Sequence, residues 1–461
     1  MKKFNIKCIF ALTIILLCAL LLCSCNSFEK QLEKMSHEDR AQALTEKAIY
    51  NQDNASSYIS NSEMMIDICC KDADMSILET GEQIIYGAST DEDYYHYSKY
   101  KVTSDKTTRV TIMGYADGKM FESDGASFVY SPLPKKDYLD YLTIMDDIGD
   151  TSHLNPPKSI TAEKNEDGYW VIEFSQFDTE LIKFLCTNLF EGIDTYYYRY
   201  FDVTDICVTL TINSEYQPDF YSIKLIHTSI TYDDSIIEPI VEYNASFSSY
   251  NQVKENELVE IDFSKYKNVS DLRLFHLMEK KLYKAIDWDT GRLSSSITTS
   301  VSQNGNTSSF SYSYSGTYEN NDDGFSFQLI SRTGENLNSP PATISYEYNS
   351  YKEAYGTSSR STEMSDFEAK ARLSSILIPV PISINDLVTC NKVGSGDNVT
   401  YNFAYSSIDP SLISDIEILG SPRVTLSVSI IAGKVAWLSY SASGITESNQ
   451  AISISVKNFF Q

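Results

Sequence analysis

The sequence predicts an α+β protein built from two tandem copies of a curved antiparallel β-sheet, with helices on the concave face. Three observations lead there. Runs rich in Val, Ile, Thr, Tyr and Ser are separated by short turns, and strands joined that way must pair antiparallel. The same order of helices, turns and strands is written twice along the chain. Composition supports packed cores, with 42% hydrophobic residues, 33 tyrosines and 21 phenylalanines among 461 residues.

The first element is a leader. Lys2, Lys3 and Lys7 precede an apolar run from Ile9 to Leu22, followed by Leu22-Cys23-Ser24-Cys25. A basic segment, an apolar segment and a small residue before the cut define a secretory signal. The apolar run of about 14 residues is shorter than the roughly 20 that span a bilayer, which argues against an uncleaved transmembrane anchor. With cysteine directly after Ser24, the segment resembles the lipobox of bacterial lipoproteins. That resemblance implies cleavage after residue 24, with the Cys25 thiol carrying a diacylglyceryl group as the first residue of the mature chain. Residues 1–24 are then a signal peptide and 25–35 a tether.

Removal of residues 1–24 takes three lysines and no acid from a chain of 37 basic and 63 acidic residues, leaving a formal charge of −29. Such a surface repels nucleic acid and anionic headgroups. The membrane partner is therefore met through the lipid, whose two acyl chains satisfy the need for more than one hydrophobic anchor. The expected location is the extracytoplasmic face of the cell membrane. Of the cysteines, Cys8, Cys18 and Cys23 leave with the leader. Cys69, Cys70, Cys186, Cys207 and Cys390 remain, an odd and irregular set that is not a disulfide framework.

The first copy spans residues 36–265. Ser36, followed three residues later by Asp39, resembles a capping box and opens a helix to Tyr50 that packs through Ala41, Leu44, Ala48 and Ile49. Strands follow from Tyr58 to Cys70 and Met75 to Tyr86. Those from Thr108 to Met113 and Lys119 to Phe121 flank Ala116-Asp117-Gly118. Pro132 and Pro134 then introduce a helix from Lys135 to Met145. Next come Ile160 to Ala162, the turn Asn165 to Gly168, and Tyr169 to Phe174. Asp178 opens a helix at Leu181-Ile182, and the copy closes on strands through Val208 to Ile212 and Tyr243 to Phe247.

The second copy, residues 266–461, repeats this. Ser270 opens a helix with Leu272, Leu274, Leu277, Met278 and Leu282. Strands Leu293 to Ser302 and Ser308 to Tyr318 hinge at Asn304-Gly305, a strong hairpin signal. Ser361 introduces a helix from Met364 to Ile376. Leu387 to Cys390 and Val399 to Phe403 flank Gly394 to Asp397, and Asp409-Pro410 opens a helix. Val424 to Val428 matches Val208 to Ile212, and the end alternates through Ile452, Ile454 and Val456.

Lipobox and element order together resemble the half-barrel LolA/LppX-like lipoprotein carriers, twice over most of residues 36–461. The duplication departs from the usual single-domain form. No residue motif of that family is matched, so no binding residue carries over. The resemblance implies a cavity on each concave face. The helix residues Tyr138, Leu142 and Met145 in the first copy, and Phe367, Ala371 and Ile376 in the second, are core-facing and would line such a cavity.

No metal or catalytic motif stands out. Five histidines are scattered, and there is no His-Glu-x-x-His, Cys-x-x-Cys or Gly-x-Ser-x-Gly. Asp287-Trp288-Asp289-Thr290-Gly291 opens like a calcium loop but lacks the later ligands. Tyr94 to Tyr100, Tyr196 to Tyr198, and Tyr346, Tyr348 and Tyr351 offer rings for sugar stacking, although tyrosine also packs well on half-exposed strands.

The expectation is a non-catalytic, membrane-anchored lipoprotein without cofactor, binding a hydrophobic or lipid-like ligand. Two alternatives stay open: an envelope interaction or assembly module without ligand, and a carbohydrate-binding lipoprotein that uses the tyrosine clusters.

Overall fold

A computed structural model describes residues 28–70, 73–87, 94–104, 107–146, 155–182, 203–227, 230–232, 235–237, 240–286, 290–321, 324–333, 343–347, 350–355, 358–363, 377–378, 382–407, 418–446 and 448–460. These residues are mostly strand, with few helices. The chain divides into two compact units, one of residues 1–125 with 133–262 and one of residues 126–132 with 263–461. A single cut at 265/266 was expected. Instead, strand β6 (Phe128–Pro132) groups with the second unit, where it pairs in parallel with β14 (Lys267–Asn268).

The first unit opens with α1 (Phe28–Leu32) and α2 (His37–Asp53). Residues 28–32 were expected to lie in the tether. They are helical because Leu32 is fully buried and Phe28 packs edge-on against Tyr216 at 5.0 Å. The Ser36 hydroxyl caps α2 by accepting from the Asp39 amide at 3.1 Å, and it donates to the Asp39 carboxylate at 2.8 Å. Ala41, Leu44, Thr45, Ala48 and Gln52 are buried, one stripe at helical spacing. Arg40 ties this end down. Its guanidinium donates to the carbonyls of Leu32 (2.8 Å), Ala162 (2.8 Å) and Met35 (3.1 Å), and it lies 5.6 Å from the Trp170 ring centre.

The strands of this unit are β1 (Ser57–Cys70), β2 (Ala73–Tyr86), β3 (Tyr95–Ser104), β4 (Thr107–Ala116), β5 (Lys119–Ser123), β7 (Ser159–Lys164), β8 (Trp170–Ser175), β9 (Val203–Ile212), β10 (Pro218–His227) and β13 (Ile240–Ser248). They follow the antiparallel order β5-β4-β3-β2-β1-β13-β10-β9-β8-β7, a curved sheet not closed into a barrel. A separate hairpin joins β11 (Ile230–Tyr232) to β12 (Ser235–Ile237). Between β5 and β7 runs α3 (Lys135–Asp146). The two-residue loop Asp117-Gly118 has positive φ at both positions, 50° and 70°, the hairpin geometry that glycine permits. Asp178 caps a turn as expected, its carboxylate accepting from the Leu181 amide at 2.8 Å. α2 packs on β7 and β10, and the core there holds Trp170, Ile172, Phe174, Leu210, Ile223 and Phe247.

The second unit contains α4 (Leu272–Ala285) and an antiparallel sheet of eleven strands. These are β15 (Thr290–Gln303), β16 (Asn306–Asn321), β17 (Gly324–Thr333), β18 (Thr343–Glu347), β19 (Ser350–Tyr355), β20 (Ser358–Glu363), β21 (Leu387–Ser395), β22 (Asn398–Tyr405), β23 (Ile418–Ile431), β24 (Lys434–Thr446) and β25 (Ala451–Phe460), in the order β20-β19-β18-β17-β16-β15-β25-β24-β23-β22-β21. Asn304-Gly305 forms its hairpin with φ of 51° and 80°.

The helix cap differs from expectation: Asp271, not Ser270, accepts from the Arg273 amide at 3.2 Å. The Ser270 hydroxyl instead exchanges bonds with the Cys390 backbone, at 2.8 and 2.9 Å. Phe275 packs edge-on against Phe403 at 5.7 Å. Ser361 lies in β20; the helix expected from Met364 to Ile376 and the one at Asp409-Pro410 lie outside the described residues.

One relationship is common to both units. In the ten strands from β1 to β13 of the first unit named above, and in the eleven-stranded sheet of the second, the first strand in sequence pairs with the last in mid-sheet, β1 with β13 and β15 with β25, and the remaining strands fan out to either side. A helix precedes the first strand in each.

Candidate functional site

The expected lining residues of the first unit share one face of α3, since Tyr138, Leu142 and Met145 are spaced four and three apart. Tyr138 is fully buried. Its ring stacks on Tyr115, with centres 4.8 Å apart and an interplanar angle of 25°, and Tyr141 lies 6.1 Å away. Its hydroxyl lies 2.6 Å from His96 Nδ1. The other ring nitrogen, Nε2, is 2.8 Å from the Ser98 hydroxyl and 2.8 Å from the Gln83 amide nitrogen.

Gln83 Oε1 also accepts from the Ser60 hydroxyl at 3.3 Å, which extends the network to β1. The layer is therefore sealed, aromatic and hydrogen-bonded.

Away from that layer, burial on the same face of the sheet is less complete. Glu79, Tyr100, Val102 and Thr111 are half-buried, as are Leu142 and Met145. Desolvation holds the Glu79 carboxyl above the usual carboxylate range, and burial pushes the Tyr243 hydroxyl well up. Gly81, between Ser62 and Tyr100 in register, has no room for a side chain: a Cβ there would meet the Ser62 hydroxyl and sit 3.2 Å from the Tyr100 ring. Tyr100 thus lies over the β2 backbone because residue 81 is glycine. Glu79, Tyr100, Val102 and Thr111 thus form a half-buried stretch on the same face as the His96 layer.

Phe367, Ala371 and Ile376 lie outside the described residues, as do Cys25 and Tyr196 to Tyr198. Of the tyrosine clusters, Tyr94, Tyr95, Tyr97, Tyr346 and Tyr351 are buried and Tyr100 is half-buried, while Tyr348 lies outside the described residues. Among the described residues there is no group of three or more metal-ligating side chains, and no helix is long and apolar enough to cross a membrane. Cys207 and Cys390 are free thiols, the first half-buried and the second buried.

The sequence singled out Tyr138 but not His96, Gln83 and Ser98, which join it in this network. These residues meet only through the β2–β3 register, and no local pattern marks them.

No protein-family model and no curated protein matches the chain. Among solved structures, 48% of the chain overlaps the Mycobacterium tuberculosis lipoprotein LppX, covering 97% of that protein at 10% identity with a TM-score of 0.26. A further 39% match covers 92% of a LolA-superfamily protein from Nitrosomonas europaea, at 10% identity and a TM-score of 0.17. Structural neighbours of this chain thus include LppX and a LolA-superfamily protein.

Proposed function

We propose that this protein is a lipid-anchored extracytoplasmic lipoprotein that binds, without catalysis, a hydrophobic or lipid-like ligand on the inner face of its first unit. The observation that carries this reading is the change along that face of the sheet from a sealed layer at His96 and Tyr138 to half-buried residues at Glu79, Tyr100, Val102 and Thr111. Enclosing an acyl chain against these residues removes apolar surface from water, at about 25 cal/mol per Å2. The Glu79 carboxyl, whose pKa is raised by desolvation, adds a polar group to this stretch.

The two units are read as copies of one duplicated half-barrel with helices on the concave face. The shared pairing of first strand with last, each after a helix, supports this. By that reading Phe367, Ala371 and Ile376 are the counterparts of the α3 residues. The anchor is the Cys25 thioether, and only Asn26 and Ser27 separate it from α1, whose Leu32 is buried. The first unit is thus held close to the bilayer.

Lipid extraction and native mass spectrometry of the purified protein test the binding. Co-purifying lipid is expected, with less recovered from Leu142→Asp and Met145→Asp; protein that is always empty overturns the reading. Changing Cys25→Ser is expected to move the protein from the membrane fraction to the soluble fraction and to abolish acyl labelling.

A further inference from the structure

The opposite face of the first unit's sheet holds a groove of about 520 Å3, within the range of small-molecule sites, roughly 300–1,000 Å3. Register sets its lining in a row. Lys99 stands opposite Glu82, Glu82 opposite Asn61, Asn61 opposite Ser246, and Ser246 opposite Phe220. Beside that row, Glu63 stands opposite Asn244. The row crosses five strands, which at about 4.8 Å per spacing is roughly 19 Å.

The side chains of Lys99, Glu82, Asn61 and Glu63 are exposed and make no hydrogen bond or ion pair among the described residues. Asn244 donates to Glu242 at 3.2 Å, yet its own Oδ1 is buried and accepts nothing there. The groove is an elongated strip of unused donors and acceptors with one aromatic ring, Phe220, at its end.

We propose that this groove binds a linear saccharide laid across the strands, one ring face against Phe220. Sugar hydroxyls both donate and accept, so they match a strip in which ammonium, carboxylate, amide and hydroxyl succeed one another. An acyl chain would take water from these groups and replace none of its bonds. The formal charge of −26 opposes nucleic acid. An extended peptide pairs along a sheet edge, whereas β1 and β13 lie in mid-sheet. The site is independent of the lipid reading, because its side chains point away from the inner face.

The test is full-length protein in detergent on an array of neutral and amino-sugar oligosaccharides of graded length. Binding that strengthens with chain length is expected, weakened about tenfold or more by Phe220→Ala, Asn61→Ala or Lys99→Ala. Asn61 and Lys99 are exposed, so their variants keep the test valid should Phe220→Ala fail to fold. Binding of no oligosaccharide, or binding undiminished in every folded variant, overturns the proposal. Lipid recovered from Asn61→Ala is expected to equal that of the wild type, so the two sites stand or fall separately.

Discussion

His96 Nδ1 and the Tyr138 hydroxyl lie 2.6 Å apart, joining β3 to α3 across 42 residues of sequence. Both groups are buried, so the bond is made where water cannot substitute for it. Changing Tyr138→Phe keeps the ring stacked on Tyr115 but removes the bond. The expected loss is about 1–3 kcal/mol of unfolding free energy. A double-mutant cycle with Ser98→Ala, read by urea denaturation, should show the two sites coupled, because both act through the same imidazole.

The helix α4 cap makes a second prediction. Asp271 accepts from the Arg273 amide and also pairs with the Arg273 guanidinium at 2.9 Å. Changing Asp271→Ala removes both interactions and should cost about 1 kcal/mol or somewhat more. Asp271→Asn keeps the cap and should cost less. Thermal unfolding of the two variants separates the contributions; equal losses would place the stabilisation in the ion pair instead.

What could be read in advance follows from how local the cause is. Asp117-Gly118 and Asn304-Gly305 announce their hairpins because positive φ at adjacent positions demands those residues. The Ser36 and Asp178 caps were legible because donor and acceptor lie within one turn. At Ser270-Asp271 two capping residues are adjacent, and the choice between them is made by Cys390, 120 residues away, which takes the serine. The pairing of β1 with β13, the His96 layer and the row from Lys99 to Phe220 depend on register between distant strands. Tyrosine richness was visible, but only register shows that Tyr97 is buried while Lys99 beside it is exposed.

Alkaline pH should destabilise the second unit through Cys390. Burial, helped by the Asp271 charge, pushes its thiol from 9.0 up to about 12. Above pH 9 the unfolded chain gives up this proton while the folded chain keeps it, so the stabilisation is complete below 9 and falls as pH rises towards 12. Replacing Cys390→Ala should flatten that alkaline limb in a series of urea titrations. The native thiol should also resist alkylation at neutral pH and react once the protein is unfolded. Rapid labelling of the folded protein would show that Cys390 is accessible.

Glu79 gives the opposite case, an acid disfavoured in its ionised form. Desolvation raises its pKa above the ordinary value of 4.5, so its contribution to stability is intact in acid and is lost as pH rises through the folded value. Substitution by Gln keeps shape and hydrogen bonding but removes the ionisation. Glu79→Gln should therefore raise the urea midpoint near neutral pH, and the gain should fade as both proteins are taken into acid, where the wild-type carboxyl is itself protonated. A cationic ligand group seated beside this carboxylate would reverse the ranking in its presence. A stabilising effect of equal size at both pH values would trace the gain to packing and leave the carboxyl without an electrostatic role.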